Sequence, residues 1–425
     1  MKFLIQQAQI VDPNSPLNNQ RLDILIENGV IVEMEDSIQE EGAAIVNGMA
    51  LSVSPGWVDV FSNFGDPGYE YKETLETGAA AAAAGGYTDV FTIPNTKPAV
   101  DTKTQVEYIR SRSANLPVNI FPLGGISKGC EGKDLAEMYD MHASGAIAFT
   151  DGINPVQSSG ILLKALQYVR SFDGVIIQIA DDRSLGSSGV MNEGIVSTQL
   201  GLPGKPVIAE ELMVARDIKL VRYAESRLHF TGISSPKSLE YIRRAKDAGL
   251  DVTCSVTPHH LMFSEEDLMQ YDTNLKVYPP FRSINARKEL QKAVLDGTID
   301  VIASHHMPHE YDSKVLEFEY SKNGMIQLQN TFHVVKAAIP ELSDARMVEL
   351  LSINPRKIFG LPQPTININQ AAILTIFSSK LSTSFDIKSN RSRSGNSPYF
   401  GMELPGSILG IINGTKHYLQ QNQKL

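Results

Sequence analysis

GWVDVFSNFGDPGYEYKETLETGAAAAAAGGYTDVFTI (56–93) holds the decisive pattern: an apolar run, a polar turn, an alanine-rich stretch, a Gly-Gly break and a second apolar run. The first and last pieces are short and rich in β-branched and aromatic residues, and Lys72–Ala84 has strong helix propensity. Strand, helix and strand in that order form a parallel βαβ unit. The same alternation continues through VNIFPLG (118–124), AIAFT (146–150), GVIIQIA (174–180), SRLHFTGI (226–233), LDVTCSV (250–256) and IDVIAS (299–304). Helical stretches such as SSGILLKALQYVRS and SPKSLEYIRRAKDAG lie between them. Eight such runs over about 250 residues predict an α/β fold of the (β/α)8 TIM-like barrel kind, whose chemistry sits at the strand C-termini.

Outward from this core, residues 1–54 alternate short apolar runs with DPN and ENG turn signals and predict antiparallel strands. ILTIF, SPYFG and SILGIING near the C-terminus read the same way. The expected organisation is a barrel over 55–345 and a small β-sandwich built from both chain ends, 1–54 and 346–425. The polar stretch 379–396 is expected to be an exposed, mobile loop.

The chain has 425 residues, 42% hydrophobic and 20% charged, enough for a large core. Its net charge of −10 argues against a nucleic-acid-coating protein or one held on an anionic membrane surface. Cys130 and Cys254, far apart in a long chain, suit free thiols in a reducing compartment. With no 18-residue apolar stretch and no signal-peptide pattern, a cytoplasmic location is expected.

Five motifs together resemble the dihydroorotase branch of the cyclic amidohydrolases. They are PGWVDVFSNFGDPGYEYKETLETG and its continuation to Pro98, VTPHHLMFSEEDL (256–268), NLKVYPPFRS (274–283), DGTIDVIASHHMPHE (296–310) and GNSPYFGMELPG (395–406). The resemblance implies a metal-dependent hydrolase that interconverts carbamoyl-aspartate and dihydroorotate in pyrimidine biosynthesis. In that chemistry zinc lowers the pKa of a bound water and polarises the ring amide, and a carboxylate moves the proton.

Carried onto this chain, the family's metal positions mostly hold other residues. The His-x-His pair of the first strand falls on Phe61 and Asn63, the fifth-strand histidine on Gln178 and the sixth-strand histidine on Gly232. Asp151 is the retained carboxylate, and His305 replaces the family's strand-eight aspartate, which holds metal and accepts the water's proton. Of the substrate contacts, Asn95 and His309 remain, whereas the arginine clamp falls on Gly65 and the asparagine of the NPP motif on Tyr278. His229 lies three residues before Gly232, on the opposite strand face. Phe61, Phe64 and Tyr278 are expected to fill the old cavity.

Phenylalanine cannot ligate zinc and a neutral amide is a poor substitute for imidazole, so a binuclear centre is not expected and no cofactor is assigned. The leading expectation is a dihydroorotase-like pseudoenzyme that has lost its zinc ligands. It would act through assembly, as a homodimer and with aspartate transcarbamoylase or other pyrimidine-pathway enzymes, without nucleic acid or membrane. The alternative is an active dihydroorotase or cyclic amidohydrolase with one zinc on Asp151 and the His305–His309 segment. A third reading is a metal-independent small-molecule binder.

Overall fold

The computed structural model describes residues 2–420. Seventeen strands appear among them. The first five are β1 (Lys2–Ile10), β2 (Arg21–Glu27), β3 (Val30–Glu35), β4 (Ala44–Val46) and β5 (Ser52–Pro55). The parallel strands are β6 (Trp57–Ser62), β7 (Tyr87–Thr92), β8 (Asn119–Pro122) and β9 (Val175–Gln178), then, after the short pair β10 (Met191–Asn192) and β11 (Gly204–Lys205), β12 (Arg227–Phe230), β13 (Val252–Val256) and β14 (Val301–Ile302). The last three are β15 (Ile373–Phe385), β16 (Met402–Asn413) and β17 (Lys416–Leu419).

The α/β architecture is present. β6–β7–β8 and β9–β12–β13–β14 are two parallel sheets, with neighbours paired in chain order. The run 146–150 forms no strand, but Phe149 bridges Gly124 on one side and Ile176 on the other. A parallel bridge from Ser62 to His306, with Asn63 N donating to His306 O at 2.9 Å, returns the pairing to its start. Isolated parallel bridges thus connect the two sheets at both of their edges.

These strands are buried on both faces, which is why they read as continuous apolar runs. Their inner face contributes Val58, Val60, Phe91, Ile93, Leu123 and Ile177 to one core, with Phe359 and Leu361 in the same cluster. The outer face packs on the helices. Helix Leu75–Ala84 starts at a Thr74–Thr77 capping box, and helix Pro236–Asp247 starts with Ser235 as N-cap and proline in its first turn.

Both chain ends meet in one sheet of order β17-β16-β15-β5-β1-β2-β3, with β4 on the free half of β1. β5 is the link, antiparallel to β15 and parallel to β1. The expected sandwich therefore appears as a single hydrogen-bonded sheet of eight strands, whose apolar face (Ile5, Ile24, Val53, Leu374, Ile376, Ile412) shares one core.

The stretch 379–396 departs from the loop expectation. β15 runs on to Phe385, and Ser392, Arg393 and Asn396 dock by hydrogen bonds onto Glu73 and the His309 segment. SPYFG forms a turn before β16. Cys130 and Cys254 are buried free thiols, and among the described residues no helix is long and apolar enough to cross a membrane.

Candidate functional site

A cleft of about 680 Å³ opens at the C-terminal ends of the parallel strands, with Asn63, Asn95, Ile179, Tyr278, His305 and His309 among its walls. Its framework begins at Asp59 in β6. This fully buried carboxylate accepts from Ser304 N at 2.6 Å, from Ser304 Oγ at 2.9 Å and from the Ser62 hydroxyl. Burial pushes its pKa up and these donors pull against the rise. The bonds fix the chain after β14 against β6 and so set the backbone of His305.

His305 sits at φ +46°, unusual for a side chain without a local hydrogen-bonding role. Its ring stacks on Phe61 (centroids 4.5 Å apart, planes at 29°), and Nε2 bonds the Thr231 hydroxyl at 2.8 Å. A Cβ added to Gly232, itself at φ +71°, would lie 2.7 Å from His305 Cε1. The His305 ring therefore takes the space that a side chain at 232 would need. Burial among other imidazoles pushes its pKa down to about 3, so it is uncharged at neutral pH.

His306 faces elsewhere: Nδ1 accepts from Gln327 N at 3.1 Å and Nε2 lies 3.2 Å from Glu73 Oε2. Asp151 is also turned away, accepting from Ser127 N at 2.9 Å and Ser127 Oγ at 2.5 Å. Burial raises its pKa. The mononuclear grouping of Asp151 with His305 and His309 is not assembled. Among the described residues no set of three or more His, Cys, Asp or Glu side chains is placed to hold a metal.

Gln178 points out of the cleft and bonds both backbone groups of Val156 at 3.4 Å. Ile179 occupies the wall instead. Ile177 and Ile179 share the inner-face core, so strand alternation could have identified 179 as the mouth position of this strand. The Asn63 side chain caps its own turn by accepting from Gly65 N at 2.9 Å. Gly65, at φ +68°, has Tyr69 O only 2.8 Å from where a Cβ would stand. Phe64 packs edge-on to His306.

Asn95 and His309 both line the cleft, but their polar atoms are partly engaged. Asn95 donates to Asp151 O (3.1 Å) and accepts from Ile153 N (3.0 Å). His309 Nε2 donates to Asn323 O at 2.9 Å, and burial pushes its pKa down to about 4. Tyr278 donates its hydroxyl to Asp181 Oδ2 at 2.6 Å. Asp181 also pairs with Lys205 at 2.9 Å, both side chains buried. Sequence reasoning missed this Asp181–Lys205–Tyr278 wall, because a lone lysine between glycine and proline carries no local signal. It also missed Lys72, whose ammonium stands 5.2 and 5.7 Å from the rings of Tyr69 and Tyr71.

Zinc in the arrangement that the resemblance implies does not fit these donors. Phe61 and Ile179 have none, Gly232 has no side chain, Asn63 is spent on its turn and His305 Nε2 is spent on Thr231.

The family model described as Dihydro-orotase-like matches residues 51–238. A protein named Dihydroorotase from Geobacter metallireducens is 38% identical over 420 residues, covering 98% of this chain and 99% of its own. One of the same name from Acetivibrio thermocellus is 38% identical over 419 residues, with 97% and 98% covered. Among solved structures, the L-hydantoinase (dihydropyrimidinase) of Arthrobacter aurescens superposes with a TM-score of 0.84 at 23% identity, over 98% of this chain and 97% of that one. The D-hydantoinase of a Thermus species gives 0.83 at 18%, over 100% and 96%. Whole-length likeness to the named relatives, on a fold shared with the hydantoinases, places this chain in the dihydroorotase-like family.

Proposed function

We propose that this chain is a dihydroorotase-family protein of pyrimidine biosynthesis that does not carry out the family's metal-assisted hydrolysis and acts through assembly. In this reading the parallel strands form a (β/α)8 barrel of the metal-dependent hydrolase type over 55–345, and 1–54 with 346–425 supply the eight-stranded sheet beside it. The observation that carries it is the interlock at the mouth: the His305 ring lies on Phe61 and fills the space that a side chain at 232 would need. The proposed assembly is a homodimer in the cytoplasm that associates with aspartate transcarbamoylase or another pyrimidine-pathway enzyme.

A second reading has its own support. Relatives named Dihydroorotase match almost the whole chain at 36–38% identity, which favours an active ring-amide hydrolase with an altered zinc site. Purification without chelators, followed by elemental analysis and turnover of dihydroorotate and carbamoyl-aspartate with added zinc, separates the two. The proposal expects metal well below one per chain and no turnover above the protein-free rate. Bound zinc near one per chain together with zinc-dependent turnover overturns it. The double variant Phe61→His with Asn63→His is expected to stay inactive, because Ile179, Gly232 and His305 still block the remaining positions.

A further inference from the structure

A chain of polar groups, half-buried at Thr253 and buried beyond it, runs across the parallel strands from β13 to the floor of the cleft. Thr253 Oγ1 lies 2.9 Å from His229 Nδ1, and His229 Nε2 lies 3.1 Å from Ser255 Oγ. Ser255 Oγ donates to Thr231 Oγ1 at 2.9 Å, and Thr231 Oγ1 lies 2.8 Å from His305 Nε2. His229, Ser255, Thr231 and His305 are all nearly inaccessible.

A hydroxyl has one proton to give, and a neutral imidazole carries one N–H and one lone pair. Ser255 gives its proton to Thr231 and must therefore accept from His229 Nε2–H, so His229 Nδ1 accepts from Thr253. Thr231 Oγ1 has only Ser255 and His305 as partners among the described residues, so its own proton, otherwise buried without an acceptor, goes to His305 Nε2. The single N–H of the His305 ring then lies on Nδ1, which has no partner among the described residues.

We infer that His229, acting through Ser255 and Thr231, is a positioning residue that fixes His305 as the Nδ1–H tautomer, making it a hydrogen-bond donor beneath the cleft instead of a metal ligand or proton acceptor. Metal ligation and proton abstraction both need a free lone pair, and this arrangement leaves none: one nitrogen is protonated and the other is occupied by Thr231. The orphaned N–H suits a carbonyl or carboxylate oxygen or a water, the acceptor chemistry that a buried donor without a partner requires.

The inference deepens the proposed non-hydrolytic reading and rests on it. Its test is ¹⁵N-detected NMR of the histidine rings in the full chain at pH 7, before and after addition of two equivalents of zinc chloride, with turnover of dihydroorotate measured on the same sample. His305→Asn, which suits a positive φ, assigns the His305 signals. The expected spectrum has His305 protonated on Nδ1 and unchanged by zinc, and Ser255→Ala is expected to convert it to a mixture of tautomers while Ser255→Thr retains it. A His305 ring protonated on Nε2, or a Nδ1 signal displaced by zinc, overturns the inference. The wild-type spectrum decides even if Ser255→Ala fails to fold. Turnover with an Nδ1–H ring overturns the non-hydrolytic reading alone, and an Nε2–H ring without turnover overturns the tautomer assignment alone.

Discussion

Gly232 and His305 are expected to behave as one unit, and a double-mutant cycle measures it. In Gly232→Ala the new Cβ would stand 2.7 Å from His305 Cε1, 3.3 Å from His305 Nε2 and 3.3 Å from Pro279 Cδ, on a backbone at φ +71°. The left-handed backbone costs an alanine about 1–2 kcal/mol, and the overlap with a stacked ring adds about 1–3 kcal/mol. The single variant should thus lose about 2–5 kcal/mol. His305→Ala removes a buried aromatic ring and should cost about 3–5 kcal/mol on its own. In the double variant the overlap with the ring disappears while the backbone strain remains. Its loss should therefore fall short of the sum by about 1–3 kcal/mol. The assay is urea unfolding followed by fluorescence of Trp57, the one tryptophan in the sequence, which is fully buried against Phe332 and Phe377. Losses that add to within about 0.5 kcal/mol would refute the claim that the ring occupies the space beside position 232.

Two further outcomes are expected. Glu73→Ala removes the buried acceptor of His306 Nε2, Arg393 N and the Ser392 and Thr77 hydroxyls. It should cost about 3–5 kcal/mol and speed tryptic cleavage at Arg391 and Arg393; cleavage at the wild-type rate would show that Glu73 does not hold the 386–396 segment. The second concerns pH. Burial pushes His229 and His305 down to about 3, His260, His309 and His333 down to about 4, and His259 well below the usual histidine range. Because these pKa values are lower folded than unfolded, the unfolded chain binds more protons below pH 6.5, and stability falls as pH drops from 7 towards 4. Asp217, raised to about 6 by burial, works in the opposite sense: its contribution is present below about pH 4 and is lost as pH rises through 6. Asp12, Asp59, Asp66, Asp151, Asp300 and Glu265, also raised by burial, oppose the histidines in the same sense towards the acid end. The fall is therefore expected between pH 7 and 5, where the histidines of the unfolded chain take up protons, and is read from the pH dependence of the urea midpoint. A midpoint that stays constant between pH 7 and 5 would contradict the burial of these rings.

The parallel strands were legible because strands covered on both faces cannot hide their composition: WVDVFS, VIIQ and VTCSV are runs whatever surrounds them. AIAFT was legible as a position but not as an element, since only Phe149 makes paired bridges there. The terminal sheet was harder to read. The contact that unites it, β5 with β15, joins residues more than 300 apart in sequence and has no local signature. At the cleft, residue identity was legible and direction was not. Asp151 was readable as a carboxylate, but its turn towards Ser127 depends on a loop 24 residues earlier. Gln178 is a polar residue at a strand end, yet alternation sends it to Val156 and puts Ile179 on the wall. Register shifts in the β6–β7 pairing near Asp59 and Ser62 defeat a simple count of alternating positions there.

The substitutions at the mouth are better understood as one repacking than as separate losses. Phe61 offers a flat apolar face that imidazole would not need if it held a metal, and His305 lies along it. That placement requires a glycine at 232 and a hydroxyl at Thr231, and the hydroxyl is in turn oriented by Ser255 and His229. Asp59, Ser62 and Ser304 hold the backbone of the same segment from the other side. Each of these residues is explained by its neighbours, as in any close-packed interior, where a change of one methylene is felt by the next side chain. A single reversion towards a metal ligand would therefore clash with or unsatisfy a partner before it offered a donor to zinc. Under the proposed non-hydrolytic reading, a family-type metal site would need positions 61, 63, 179, 232 and 305 to change together.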